Sequence, residues 1–178
     1  MDYREDYYRG IAGIYFRRVL RTIIQMGNLR KEPGLILDYG CGVGHLQKAL
    51  PGKNVIGYDV IPELSEVKDY RKLKPSVIVC NAVLEHLTIE QLKGVIEDFK
   101  KMHRQALLVT ALPTENILSK IGMVLTGYTE AHDDHKSTLR EVNEYLLEHC
   151  TRLGRKMIFT MMEVSTWKFR DAQQTSGL

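Results

Sequence analysis

Residues 35–50 read LILDYGCGVGHLQKAL. The run opens apolar at Leu35-Ile36-Leu37, meets an acid at Asp38, and then places glycine at every second position, Gly40, Gly42 and Gly44. Beyond Gly44, Leu46, Ala49 and Leu50 recur with the spacing of one buried helix face. The pattern predicts a buried strand, a tight glycine turn and a helix start. Glycine tolerates positive φ and lets a ligand lie directly against the main chain. The N–H groups that open a helix lack intrahelical partners and favour an electronegative ligand group. A strand–loop–helix unit of this kind is a nucleotide cradle.

Outward from the cradle, the spacing and the next strands narrow the ligand. G-x-G-x-G is not the G-x-G-x-x-G dinucleotide fingerprint. The following strand, Asn54–Asp59, ends in an acid about twenty residues past the glycines, where an acid binds ribose hydroxyls. A third apolar run, Ser76–Asn81, leads into Ala82-Val83-Leu84-Glu85-His86-Leu87. In this order and spacing, LDYGCGVG, VIGYDV and VIVCNAVLEHL resemble the class I S-adenosylmethionine-dependent methyltransferase family. The resemblance covers residues 34–112, and the remainder follows the family only in general layout. Another nucleotide on the same framework, including a nicotinamide cofactor, is the alternative.

Strands alternating with helices argue a parallel sheet with helices on both faces. The fold class expected is therefore α/β, a doubly wound, mostly parallel sheet of the seven-stranded type with an antiparallel C-terminal strand. Residues 1–178 are read as one domain, with residues 3–27 as an N-terminal helical cap and 171–178 as a frayed tail. Ile11, Ile14, Tyr15, Val19, Ile23 and Ile24 fall near one face of that first helix. The resemblance suggests that Tyr7, Tyr8 and Arg9 close over a ligand; ordinary packing on the sheet is the alternative.

Residues 60–75 depart from the family, which commonly has a full helix and another strand there. Sixteen residues separate Asp59 from Ser76, too few for both. The expectation is a helix lost or cut to about one turn, with a short strand over 66–69 keeping the sheet continuous. Farther on, Thr88-Ile89-Glu90-Gln91 and Thr138 with Glu141 read as capping boxes. Gln105–Ala111 reads as a buried strand, and Leu153–Thr160 and Glu163–Phe169 as two final antiparallel strands.

By resemblance, S-adenosylmethionine is the cofactor and S-adenosylhomocysteine its product. Asp38, Tyr39, Gly40, Cys41, Gly42 and Gly44 would sit by the methionine part and Asp59 would bind the ribose diol. Val60 or Ile61 would touch adenine, Asp69 would match the acid that binds the adenine amino group with Tyr70 beside it, and Asn81 and Ala82 would line the methionine and sulfonium end, while Glu85-His86 matches the family's E-H-L ending and counts His86 among the cofactor-binding residues. His86 and His135 are the candidate bases, since histidine titrates near neutrality. His132 and His135 form an H-x-x-H pair, but two ligands in a loop do not make a metal site, and no metal is expected. The family chemistry is methyl transfer by in-line substitution, and the expected acceptor is a small molecule presenting O or N. A hydrophobic acceptor would suit the apolar stretch Ile117–Leu125. A non-catalytic cofactor-binding subunit or regulatory module is the second reading, since fold does not determine function.

Composition removes other classes. A net charge of +3, with no dense Lys/Arg run, gives no reason to expect nucleic acid. Asn81 is followed by Ala82-Val83-Leu84 rather than the N-P-P-aromatic run of DNA amino-methyltransferases, and Cys80 lacks the Pro-Cys setting of cytosine-C5 enzymes. Cys41, Cys80 and Cys150 are scattered and odd in number, which suits reduced thiols in a reducing compartment. With no signal-peptide character at the N-terminus and no apolar run of spanning length, the expected location is the cytoplasm.

Overall fold

The central strands bury both faces, as parallel pairing between helical layers requires. The computed structural model describes residues 10–114 and 136–170. Within them lie strands β1 (Ile36–Tyr39), β2 (Val55–Tyr58), β3 (Val77–Asn81), β4 (Leu107–Pro113), β5 (Cys150–Ile158) and β6 (Met162–Phe169). The helices are α1 (Gly10–Met26), α2 (His45–Ala49), α3 (Ile89–Met102) and α4 (Leu139–His149). The strands form one sheet in the order β2-β1-β3-β4-β6-β5. The first four are parallel, and β6 runs antiparallel between β4 and β5. The expected doubly wound α/β fold with an antiparallel C-terminal section is present.

Strand periodicity sorts the core into two layers. Leu37, Tyr39, Ile78, Cys80 and Leu108 join Leu92, Ile96 and Phe99 of α3 and Val142 and Leu146 of α4. Ile36, Val77, Val79 and Val109 join Val19, Ile23 and Ile24 of α1 and Leu46 of α2 on the other face. Asp38 falls in phase with Ile36, on the α1/α2 side. Strand order reverses at β1 and β3, so the crevice beyond their carboxyl ends is where such a sheet takes its ligand.

Both capping boxes form. The Thr88 hydroxyl accepts from Gln91 N while Gln91 Oε1 accepts from Thr88 N, and Thr138 and Glu141 repeat the exchange. β5 starts earlier than the apolar run indicated, at Cys150, because that residue pairs with Phe169 as soon as α4 ends.

The strand expected over 66–69 does not form. Residues 60–69 run as bends and turns, with only a 3-10 turn at Tyr70–Lys72, and β2 is the edge of the described sheet. Glu66 closes that edge with one residue. Its N–H donates to Gly57 O at 3.0 Å, and its Oε2 accepts from Gly57 N at 2.7 Å. The carboxylate stands where a neighbouring strand's carbonyl would be, so an exposed ladder position is satisfied without a seventh strand.

Candidate functional site

The glycine loop is shaped by main-chain bonds to β2. Gly40 N and Cys41 N both donate to Tyr58 O, at 2.7 and 3.1 Å. This turn holds Gly40, Gly42 and Gly44 at φ +77°, +50° and +74°, the left-handed region that disfavours a Cβ. At Gly40 a Cβ would also drive into the Val83 side chain, so the loop lies hard against the chain leaving β3. At Gly42 the direction differs: a Cβ there would meet no atom within 4 Å. Bare main chain faces open space at that point.

Asp59, just beyond β2, ties the loop to the next segment. Its Oδ2 accepts from Gly42 N at 2.9 Å and its Oδ1 from Ile61 N at 3.0 Å. A carboxylate has about four lone-pair sites, so acceptor capacity remains on both oxygens. Val60 is 79% exposed and Ile61 half-buried, which leaves an apolar pair at the rim.

A cavity of about 260 Å³ lies beside the loop, lined by Asp38, Gly42, Gly44, Gln47, Glu63 and Glu66 among others. Asp59, Asn81 and Ala82 are not among its walls; they stand at the neighbouring strand ends. Asp38 is 4% exposed. Burial, and then the nearby Asp59 and Glu66 charges, push its carboxyl up to about 7. A buried acid surrounded by acids is a place where a cation is favoured. Glu66 Oε1 also accepts from Gln47 Nε2 at 2.9 Å, which fixes the wall opposite the loop.

Cys41 points inward. Its Sγ lies 3.4 Å from Leu64 O and fills the space above Gly57. Burial, with the Asp38 and Asp59 charges behind it, pushes its thiol up to about 12, so it packs as a neutral group.

Tyr39 and Tyr70 are not brought to the loop by their side chains. Tyr39 stacks with Tyr58 at 5.3 Å between ring centroids and meets Tyr70 and Phe99 edge-on. The Tyr70 hydroxyl donates to Asp98 Oδ2 at 2.9 Å. Both rings belong to the α3-side core, because β1 alternation turns Tyr39 away from the face that holds Asp38. Asp69 is engaged by Arg71, whose N and Nε reach its Oδ1 at 3.2 and 2.7 Å.

Asn81 ends β3, and Ala82 continues the β4 ladder through its N–H to Ala111 O at 2.9 Å. Ala82 is left-handed at φ +53°, unusual for a residue with a Cβ. The chain then makes a 3-10 turn, Leu84–His86. Leu84 enters the core, His86 is exposed, and Glu85 is 2% exposed. Burial pushes the Glu85 carboxyl up to about 8. The candidate base read from the sequence is thus the outward residue, while its neighbour is the buried one. Alternation of apolar and polar residues through 84–86 was the only signal available, and it does not distinguish Glu85 from His86. Glu66, Gln47 and Glu63 were also missed, since each is one polar residue among several. His132, His135, the stretch 117–125, Tyr7, Tyr8 and Arg9 lie outside the described residues. Among the described residues no metal-binding group of His, Cys, Asp and Glu occurs, and no helix is long and apolar enough to cross a membrane.

Against known proteins, the profile of the methyltransferase domain family matches residues 11–140. The chain belongs to that family. No curated protein matches this methyltransferase by sequence. Solved structures share its fold. The N-methyltransferase NodS from Bradyrhizobium japonicum WM9, in complex with S-adenosylhomocysteine, superimposes with a TM-score of 0.68 at 15% identity, over 96% of this chain and 94% of that one. Magnesium protoporphyrin IX methyltransferase from Synechocystis PCC 6803, also with bound S-adenosylhomocysteine, gives 0.57 at 17% identity, over 92% and 97%. The 1,6-didemethyltoxoflavin-N1-methyltransferase of Burkholderia thailandensis, with bound 1,6-didemethyltoxoflavin and S-adenosylhomocysteine, gives 0.63 at 13%, over 88% and 79%.

Proposed function

We propose that this methyltransferase takes its methyl group from S-adenosylmethionine and delivers it to the O or N of a small-molecule acceptor by in-line substitution. The observation that carries the reading is the Gly42–Asp59 pair. Bare left-handed main chain and a carboxylate with acceptor capacity to spare are locked together at 2.9 Å, beside a buried acid suited to a cation. The three structural neighbours named above each hold S-adenosylhomocysteine, which supports the same reading.

The residues present fit the cofactor. Asp38 and the Gly40–Gly44 loop would hold its methionine end, where Asp38 would meet the α-ammonium. Asp59 would accept from the ribose diol, which requires an acceptor-only side chain. Val60 and Ile61 would cover adenine, and Asn81 and Ala82 would border the sulfonium. When bound, the cofactor supplies a methyl on positively charged sulfur, reactive by itself. The protein's part is then to orient, to exclude water and to hold the acceptor in line. The three cysteines, all free thiols, fit a reducing compartment, and the cytoplasm is the proposed location.

Calorimetric titration with S-adenosylmethionine, S-adenosylhomocysteine and NAD tests the cofactor. The first two should bind and NAD should not; the reverse order of affinities would sink the reading. Transfer of labelled methyl to a panel of small amines and phenols separates an enzyme from a binding module, and Asp59→Ala should abolish it.

A further inference from the structure

Glu85 is a carboxyl whose position the fold maintains at a cost. It is 2% exposed, and its Oε2 takes no hydrogen bond from any described residue. An unsatisfied buried oxygen carries a desolvation penalty, and a native fold retains such a group for a reason worth identifying. Substitution by a neutral apolar side chain would remove the cost if Glu85 served packing alone.

Its surroundings suggest the reason. The left-handed turn at Ala82 redirects the chain at the carboxyl end of β3, beside the strand ends where the methyl must be delivered. Leu84 then fills the core, and Glu85 beside it is buried too. Its charge is felt by the Tyr15 hydroxyl on α1, which burial and Glu85 together push up to about 12, and by the Cys80 thiol of β3. Its carbonyl receives Lys136 N at 2.9 Å and Ser137 N at 3.1 Å, and Ser137 Oγ reaches Leu87 O at 2.5 Å. Glu85 is thus enclosed by α1, the end of β3 and the start of the segment leading to α4. No positively charged side chain is bonded to the carboxylate among the described residues.

We propose that Glu85 is the acceptor-recognising group, binding the N–H or O–H of a protic nucleophile, an amine or a phenol, and taking its proton as the methyl is transferred. This deepens the function proposed above and rests on it. In the step, the acceptor's lone pair forms the new N–C or O–C bond. The C–S bond breaks and leaves its electron pair on sulfur, and the acceptor's proton passes to the Glu85 carboxylate. Charge balances, since the cationic sulfur becomes a neutral thioether as the acceptor's proton neutralises a carboxylate. A carboxyl raised to about 8 is a stronger base than an ordinary one near neutral pH. Among the described residues, the titratable groups that feel its charge are Tyr15 from α1 and Cys80 from β3; both are pushed up and stay neutral there, so Glu85 governs the profile. A thiol acceptor, already part thiolate at neutral pH, would need no such partner.

The test separates this proposal from the one beneath it. S-adenosylhomocysteine should bind wild type and Glu85→Gln with equal affinity by calorimetry. No binding to wild type would sink the cofactor reading itself, and loss confined to Glu85→Gln would assign Glu85 to the cofactor and overturn the acceptor role. Labelled methyl transfer to small aryl amines, phenols and thiols is then followed from about pH 6 to about pH 9. Transfer to amines or phenols is expected, with kcat/KM rising through pH about 8. Glu85→Gln should lose ~100-fold in kcat/KM and lose that rise, while Glu85→Asp recovers part. In the S-adenosylhomocysteine complex, one glutamate carboxyl resonance should titrate near 8, shift when the amine or phenol binds, and be missing from Glu85→Gln. Wild-type kcat/KM and pH profile in Glu85→Gln, a resonance indifferent to the probe, or a cofactor-binding wild type that methylates no amine or phenol would each overturn it.

Discussion

Gly42 N donates to Asp59 Oδ2 at 2.9 Å, so the cradle of one strand and the acid of the next are positioned by each other. The proposed cofactor site is therefore already assembled, and losing either partner disturbs both. Asp59→Ala leaves Gly42 and Ile61 N–H without acceptors and removes the group proposed for the ribose. A loss of ~2–4 kcal/mol in S-adenosylhomocysteine affinity is expected from charge-assisted bonds to a ligand and main chain, read by calorimetry. Wild-type affinity in this variant would mean that the ribose lies elsewhere.

Gly57 marks a second close approach. A Cβ there would lie 2.7 Å from Cys41 Sγ and 3.1 Å from Cys41 Cβ, so Gly57→Ala must push the loop away from β2. Overpacking of this kind costs about 1–3 kcal/mol and should lower both Tm and cofactor affinity. Adding Cys41→Ala removes the nearer atom and should restore part of each, a coupling that a double-mutant cycle measures. Strict additivity of the two changes would show that the sulfur is not what Gly57 accommodates.

Stability should respond to pH in an unusual direction. Asp38 and Glu85 both ionise later in the folded chain than in the unfolded one, at about 7 and about 8. Between the ordinary carboxyl range and those values the folded state holds protons that the unfolded state has released. Stability therefore falls as pH rises from about 4 to about 8 and levels off above. Asp69, Glu97 and Glu141 act oppositely. Bonds from Arg71, Lys100 and the Thr138 main chain hold them below their usual range, and their contribution fades only as pH drops below it. Thermal melts across this range should show Tm falling toward pH 8. Asp38→Asn should flatten the lower part of that slope and Glu85→Gln the upper; a Tm that climbs from pH 5 to pH 8 would contradict the burial of both groups.

The capping boxes give a calibration away from the site. Thr88→Ala and Thr138→Ala each remove an N-cap hydroxyl and its reciprocal bond, a change that costs about 1 kcal/mol. Each should lower Tm by roughly 2–4 °C in a chain of this size. Substitution to Ser, which keeps the oxygen, should recover most of it.

Much of the site was legible in short stretches. Gly40, Gly42 and Gly44 announced themselves because positive φ restricts residue type locally, and Asp59 because a strand end followed by a turn can be read from a few neighbours. The shortened segment 60–75 was a matter of counting residues. Its actual solution was not readable. Glu66 replaces a strand through one side-chain bond to Gly57, and nothing in the run Glu63–Asp69 distinguishes that acid from its neighbours. Tyr39 and Tyr70 stood next to site residues in sequence yet entered the core, since adjacent positions on a strand face opposite sides.

By itself the sequence determined the order of the observed strands and helices, though it also expected a strand over 66–69 that does not form, together with the glycine turn, the two capping boxes and the acid just past the second strand. These depend on local backbone preference and on periodicity, which act over a few residues. Only the tertiary structure decided that Asp38 is buried among other acids, that Glu66 closes the sheet edge, and that Glu85 rather than His86 turns inward. Burial and long-range electrostatics are properties of what packs around a side chain, and they exist only once distant segments have come together.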